Sequence, residues 1–261
     1  MDARGFVKVD ALDNLLRPDT TLVSVMAVNN EIGSIQPIHD IAALLEDRPT
    51  ISFHVDAVQA LAKVATEVYL PERVDFATFS SHKFHGLRGV GFVYIKEGKK
   101  ITPLLTGGGQ EKEMRSTTEN VAGIAATAKA LRLAMENQEA FASKTQQMKE
   151  VIRKELSNYP DVTIFSGEDH FAPHILTFGI KGVRGEVVVH AFEEFDIYIS
   201  TTSACSSKAG KPAGTLIAMG VDKSIAQTAV RLSLDLENDM SQVEQFLTKF
   251  KLIYEQTRKV R

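Results

Sequence analysis

The sequence predicts an α/β fold: a mixed, mostly parallel sheet with helices over residues 1–135, then a smaller α+β domain over residues 136–261. Three observations predict it. Short β-rich runs alternate with a helical stretch in the first half, a pattern that favours parallel pairing. One run follows its predecessor too closely for a helical crossover, so the sheet is mixed. Beyond Gly107-Gly108-Gly109 the apolar spacing changes to that of helices.

The elements follow in order. Residues 22–28, 51–55 and 76–80 read as strands, and 38–46 as the intervening helix. Residues 90–95 form the strand expected to pair antiparallel with 76–80. Ile124, Ala128, Leu131 and Met135 then share one helical face, and Met148, Ile152 and Leu156 repeat the spacing. Thr118 reads as an N-cap, and Asn158-Tyr159-Pro160 as a helix stop. The smaller domain has a strand at 175–178, helices at 186–194 and 214–219, and an amphipathic final helix at 241–254. The first predicted strand lies close to the start of the chain, with no upstream half to complete an open sheet. A fragment, or a partner that covers the edge, accounts for this, because a long bare edge promotes association.

Composition narrows the function classes. With 44% apolar and 24% charged residues the chain is globular rather than disordered. A net charge of -3 argues against direct nucleic-acid or electrostatic membrane binding. No apolar run approaches the roughly 18 residues that span a bilayer, so the cytosol is the expected location. One cysteine excludes an internal disulfide, and the seven histidines form no spaced Cys/His set for zinc.

Asp56, in His54-Val55-Asp56-Ala57-Val58-Gln59, and Lys83, in Ser80-Ser81-His82-Lys83, fall at the carboxyl ends of successive strands, the rim where open α/β sheets bind ligands. They could form a simple ion pair. The sharper reading is a lysine able to form a Schiff base and a carboxylate able to keep a pyridinium nitrogen protonated. Ser80 and His82 offer donors for a phosphate. Gly86, Gly89 and Gly91 read as turn glycines, since they lead into a strand rather than open a helix. Asn29-Asn30-Glu31-Ile32-Gly33 follows the first strand at the same rim, as an Asn-rich turn or as amides facing a ligand. Cys205 lies in a small, polar stretch near Lys208 and Lys211, either as a reactive thiol whose thiolate those charges favour or as a plain loop residue. Arg231, in a strand-like run, could fork a carboxylate or face solvent.

As an ordered series, Val28-Asn29-Asn30-Glu31-Ile32-Gly33, His54-Val55-Asp56-Ala57-Val58-Gln59, Ser80-Ser81-His82-Lys83, Gly107-Gly108-Gly109-Gln110-Glu111, Met114-Arg115-Ser116-Thr117-Thr118, Ser203-Ala204-Cys205-Ser206-Ser207 and Val230-Arg231-Leu232-Ser233-Leu234 resemble the fold-type-I pyridoxal 5'-phosphate (PLP) enzymes of aminotransferase class V. Within that class they are similar to the cysteine desulfurases. The resemblance implies that residues 1–135 are the later part of the PLP-binding large domain and that 136–261 form the small domain with the cysteine loop. It implies Lys83 as cofactor anchor, Asp56 at the pyridine nitrogen, Gln59 and Asn30 near the ring hydroxyl and the substrate, and Ser80 and His82 at the phosphate. Thr118 would reach the phosphate from the other subunit of a homodimer, Arg231 would hold the substrate carboxylate, and Cys205 would be the nucleophile. L-cysteine is then the substrate, alanine the product, and a Cys205 persulfide passes to a sulfur-acceptor protein, an iron–sulfur scaffold or a tRNA-thiolation enzyme.

Two departures accompany the resemblance. Thr117 stands where the family's motif has glycine. About a third of the expected chain is missing from the N-terminal side by fold-size reasoning, including a phosphate loop and a ring-stacking histidine. His54 and His85 read as structural rather than as its substitutes. The competing readings are a truncated remnant or interaction module, and a selenocysteine lyase or another class V enzyme.

Overall fold

The computed structural model describes residues 1–202 and 214–259. In chain order they form α1 (Val9–Leu15), β1 (Leu22–Met26), α2 (Ile38–Leu45), β2 (Ser52–Asp56), α3 (Thr66–Tyr69), β3 (Phe76–Ser80) and β4 (Gly91–Ile95). There follow α4 (Val121–Glu136), α5 (Gln138–Leu156), β5 (Val162–Ile164), β6 (Ile175–Ile180), α6 (Gly185–Glu193), β7 (Ser200–Thr201), α7 (Gly214–Ala218), α8 (Lys223–Ala226), β8 (Ala229–Ser233) and α9 (Met240–Lys259). The chain divides into two compact units, one of Leu15–Ala27 with Ile38–Gln138, the other of Met1–Asn14, Val28–Pro37 and Glu139–Arg261.

The first unit holds a four-stranded sheet in the order β1-β2-β3-β4. β1, β2 and β3 run parallel, and β4 returns antiparallel to β3 as its short connection requires. The α/β, mixed and mostly parallel class expected from sequence is therefore the class found. β1 lies at the sheet edge, ending at Met26 rather than 28. The strand pleat decides the faces: Phe53, Val55, Ala77 and Phe79 are buried, while Ser52, His54, Asp56, Phe76, Thr78 and Ser80 alternate with them half-buried. Ile38, Ile41 and Leu45 give α2 a buried stripe at helical spacing.

A buried polar cluster ties the foot of this sheet. Asp75, 2% exposed, accepts from Phe53 N at 2.9 Å, Arg73 Nη1 at 2.9 Å and Lys99 Nζ at 3.1 Å. Arg73 also donates to the carbonyls of Leu45, Arg48 and Ile51, joining the α2–β2 turn to the start of β3. Burial pushes the Asp75 carboxyl up, but its hydrogen bonds from Phe53, Lys99 and Arg73 outweigh this and hold it below the usual range.

Two sequence expectations change here. The N-cap of α4 is Asn120, whose side chain accepts from Gly123 N at 3.0 Å, and not Thr118, which is exposed before it. The apolar face of α4 is exposed, with Val121 at 72% and Ile124 at 47%, whereas Gly123 and Thr127 are buried. Close approach explains the reversal. A Cβ on Gly123 would lie 2.8 Å from Val90 Cγ2, and Thr127 Oγ1 hydrogen-bonds Ser81 Oγ at 2.9 Å, distances that admit only small side chains.

The second unit is built on an antiparallel sheet in the order β5-β6-β8-β7. β6 is buried along its whole length. Met148, Ile152 and Leu156 of α5, Val188 and Phe192 of α6, and Phe246 and Phe250 of α9 form one cluster with Phe178, and the Phe192 and Phe246 rings stack at 4.9 Å. Lys149, on the same helix as Met148, is 2% exposed and donates to Ala172 O at 2.8 Å. Burial, with a smaller contribution from Arg153, lowers it to about 8.

Candidate active site

In the first unit the expected residues gather at the carboxyl rim of the sheet. Asp56 closes β2, in register with Met26 of β1 and Thr78 of β3, and Ser80 closes β3. The chain then turns through a single 3-10 turn, Ser81–Phe84, in which Ser81 and Phe84 are buried, His82 is exposed and Lys83 is half-buried. The period of three thus anchors the turn on two residues and leaves His82 and Lys83 at the surface of the rim. His85 ends it in the left-handed region at φ 65.

Asp56 turns its carboxylate over the following residues, accepting from Val58 N at 3.0 Å, and Gln59 sits half-buried in the same turn. Below the rim, His54 bridges neighbouring strands: Nδ1 pairs with Ser24 Oγ at 2.7 Å and Nε2 with Thr78 Oγ1 at 3.1 Å. Burial holds its pKa below the ordinary value, against the pull of Asp56, so at neutral pH it is an uncharged strut.

In the second unit the loop after β1 folds back on itself. Val28 bridges Ile35, and Ser34 bridges Phe171. Gly33 takes φ +84 with Ile175 Cβ only 3.0 Å from where its own Cβ would stand, so both backbone and space require glycine. Buried Asn29 accepts from Glu31 N at 2.9 Å and Ile32 N at 3.0 Å, which leaves Asn30 exposed at the tip. Arg231, on β8 opposite Ser200, donates from Nη1 to Asn30 O at 2.8 Å. Cys205 lies outside the described residues.

The sequence gives Glu31 no role and offers Asn29 only as one of the amides of the turn. Glu31 Oε2 accepts from Thr215 N at 3.0 Å, and Asn29 Nδ2 donates to Thr215 Oγ1 at 3.2 Å. The only signal was their place beside Asn30, because their partner is remote in sequence.

Among the described residues no cluster of His, Cys, Asp and Glu could hold a metal, and no helix is long and apolar enough to cross a membrane. The family model described as Aminotransferase class-V matches residues 1–246. The chain is 50% identical over 261 residues to a NifS/IcsS protein homolog of Lactobacillus delbrueckii subsp. bulgaricus, covering all of this chain and 68% of the relative. It is 37% identical over 263 residues to the cysteine desulfurase IscS of Clostridium botulinum, covering 66% of that protein. A solved NifS-like protein superposes with a TM-score of 0.88 at 37% identity, over 98% of this chain and 67% of its own. The chain therefore spans about two thirds of the length of the relatives it matches. These matches show that the chain belongs to aminotransferase class V, a family of PLP-dependent enzymes, among the relatives of the cysteine desulfurases.

Proposed function

We propose that this chain is the PLP- and substrate-binding part of a cysteine desulfurase, which takes sulfur from L-cysteine, releases L-alanine and carries the sulfur as a persulfide on Cys205. The observation that carries the reading is the rim of β2 and β3, where Asp56, Ser80, His82 and Lys83 occur within two successive strand ends. That donor set fits PLP: an amine, a carboxylate for a ring nitrogen, and a hydroxyl and an imidazole for a phosphate. When bound, PLP supplies an electron sink for negative charge at the substrate Cα.

The chain's own residues would do the rest. Lys83 Nζ would anchor the cofactor and would carry protons at the substrate carbons. Asp56 keeps the ring nitrogen protonated, Ser80 and His82 bind the phosphate, and Gln59 and Asn30 serve the ring hydroxyl and the substrate. Arg231 orients the substrate carboxylate through a forked contact. The Cys205 thiolate then attacks the substrate sulfur: an S–S bond forms, the C–S bond breaks with its electron pair left on carbon, and protonation of carbon yields alanine. Thr118 would complete a phosphate site in a homodimer. The persulfide would pass to an acceptor serving iron–sulfur assembly or tRNA thiolation.

Titration with PLP tests the first half, with and without the remaining third of a relative's length: a cofactor absorption band should appear and be lost in Lys83→Ala. Alanine release from L-cysteine tests the second, and should vanish in Cys205→Ala while the absorption band remains. A protein of full family length that binds PLP but releases no alanine would overturn the proposal.

A further inference from the structure

We infer that Thr177 is a positioning residue for the substrate carboxylate: together with Arg231, its neighbour across β6 and β8, it grips the turn that carries Asn30. The inference rests on the desulfurase reading above and deepens it, by naming what holds the carboxylate end of L-cysteine in place.

Thr177 is the odd residue of its strand. β6 reads Ile175-Leu176-Thr177-Phe178-Gly179-Ile180, is buried from end to end, and leaves Thr177 no exposed surface. A hydroxyl in such surroundings costs free energy unless it is hydrogen-bonded. Its partner lies outside the sheet: Thr177 Oγ1 donates to Glu31 O at 2.5 Å. Arg231 stands opposite Thr177 in the β6–β8 register, and its Nη1 donates to Asn30 O at 2.8 Å. Paired residues of neighbouring strands thus hold successive carbonyls of one turn. Ser166, 1% exposed, holds the next: its Oγ donates to Ile32 O at 2.7 Å and accepts from Thr177 N at 2.8 Å, so the two hydroxyls are linked.

These bonds do different work from those of Asn29, whose side chain accepts from Glu31 N and Ile32 N and gives the turn its shape. The three carbonyl contacts set where the turn sits on the sheet. Arg231 is a long side chain, and Asn30 O is one of the points that orient it. If Glu31 O is released, the adjacent carbonyl shifts, and the guanidinium either follows it or loses the contact. A forked contact to a carboxylate tolerates only about 10–20° of such misalignment. The consequence should therefore appear in the binding of the carboxylate and not in that of the cofactor.

The test compares Thr177→Val, which keeps the shape and loses the hydroxyl, and Thr177→Ser, which keeps a donor, with the native protein at full family length and loaded with PLP. In Thr177→Val, KM for L-cysteine should rise about tenfold, with kcat within about twofold and the cofactor spectrum unchanged, and Thr177→Ser should restore most of the loss. A pair of ligands separates positioning from general loosening. Followed by the cofactor absorption band, Thr177→Val should weaken L-alanine about tenfold and leave ethylamine, the same molecule without its carboxylate, unaffected. Ser166→Ala should also weaken L-alanine and spare ethylamine, and it decides the question if Thr177→Val does not fold. Amide exchange needs neither turnover nor cofactor: within residues 29–33 it should quicken in Thr177→Val and be slow again in Thr177→Ser.

Equal weakening of L-alanine and ethylamine overturns the inference, as does an unchanged KM in Thr177→Val, a fall in kcat at constant KM, or a loss that Ser does not restore. A native protein that binds PLP and prefers L-alanine to ethylamine, but releases no alanine from L-cysteine, overturns the desulfurase reading, while the two ligands still decide the role of Thr177.

Discussion

At the scale of single residues, Lys149 shows what burial does to a charge that the neighbouring Glu150 offsets only in part. Its ammonium lies in the second unit on α5 against Ala172 O, and its pKa is brought from 10.5 to about 8. Between those values the folded state has released a proton that the unfolded chain still holds, so stability rises as pH rises through this window. Below about pH 8 both states are protonated, and the buried charge costs roughly 3 kcal/mol relative to high pH. Lys149→Met should remove that dependence. Urea denaturation of both proteins at pH 7 and pH 10 should show the native protein gaining on the variant at the higher pH, and a constant difference would refute the assignment. None of this was legible in the sequence, where Lys149 reads as one of many helical lysines. The rim residues were different: Asp56, Ser80 and Lys83 were placed by strand ends that periodicity alone locates.

At the scale of elements, α4 separates apolar spacing from burial. The Ile124, Ala128, Leu131 and Met135 stripe has helical periodicity and the helix is there, but the buried side is Gly123 and Thr127. Gly123→Ala makes the point measurable. Helix propensity alone favours alanine by about 1 kcal/mol. The added methyl, however, would lie 2.4 Å from Asn120 Nδ2 and 2.8 Å from Val90 Cγ2, disturbing the cap and overpacking the contact. Those effects are worth about 1–3 kcal/mol in the other direction. A lower denaturation midpoint is therefore expected, and a higher one would mean that the helix shifts freely. The strands were easier to read, because alternation along β2 and β3 and burial coincide. A short connection likewise sufficed to foretell the antiparallel β4.

At the scale of the whole molecule, most of the large apolar side chains exposed among the described residues lie in the first unit. Leu22 and Met26 on β1, Val93 on β4, and Val121 and Ile124 on α4 are all exposed. Apolar surface of this kind binds other apolar surface. The chain as it stands should therefore bind a hydrophobic dye and associate as concentration rises, and fluorescence should fall when the remaining third of a relative's length is supplied. Dye binding unchanged by that addition would show that the surface serves something else.

The sequence by itself determined the α/β class, the strand order of chemistry along the chain and the residue types at the rim, because hydrophobic periodicity and strand-end motifs are local properties. It also placed Asn30 and Arg231 in the series without showing that they touch. Only the tertiary structure decided that Arg231 holds the Asn30 carbonyl, that Glu31 and Asn29 meet Thr215, and that α4 buries its small residues. Hydrogen bonds between residues so far apart in the chain, and packing at the contact distance of a methyl group, are set by how elements dock. No local pattern encodes that.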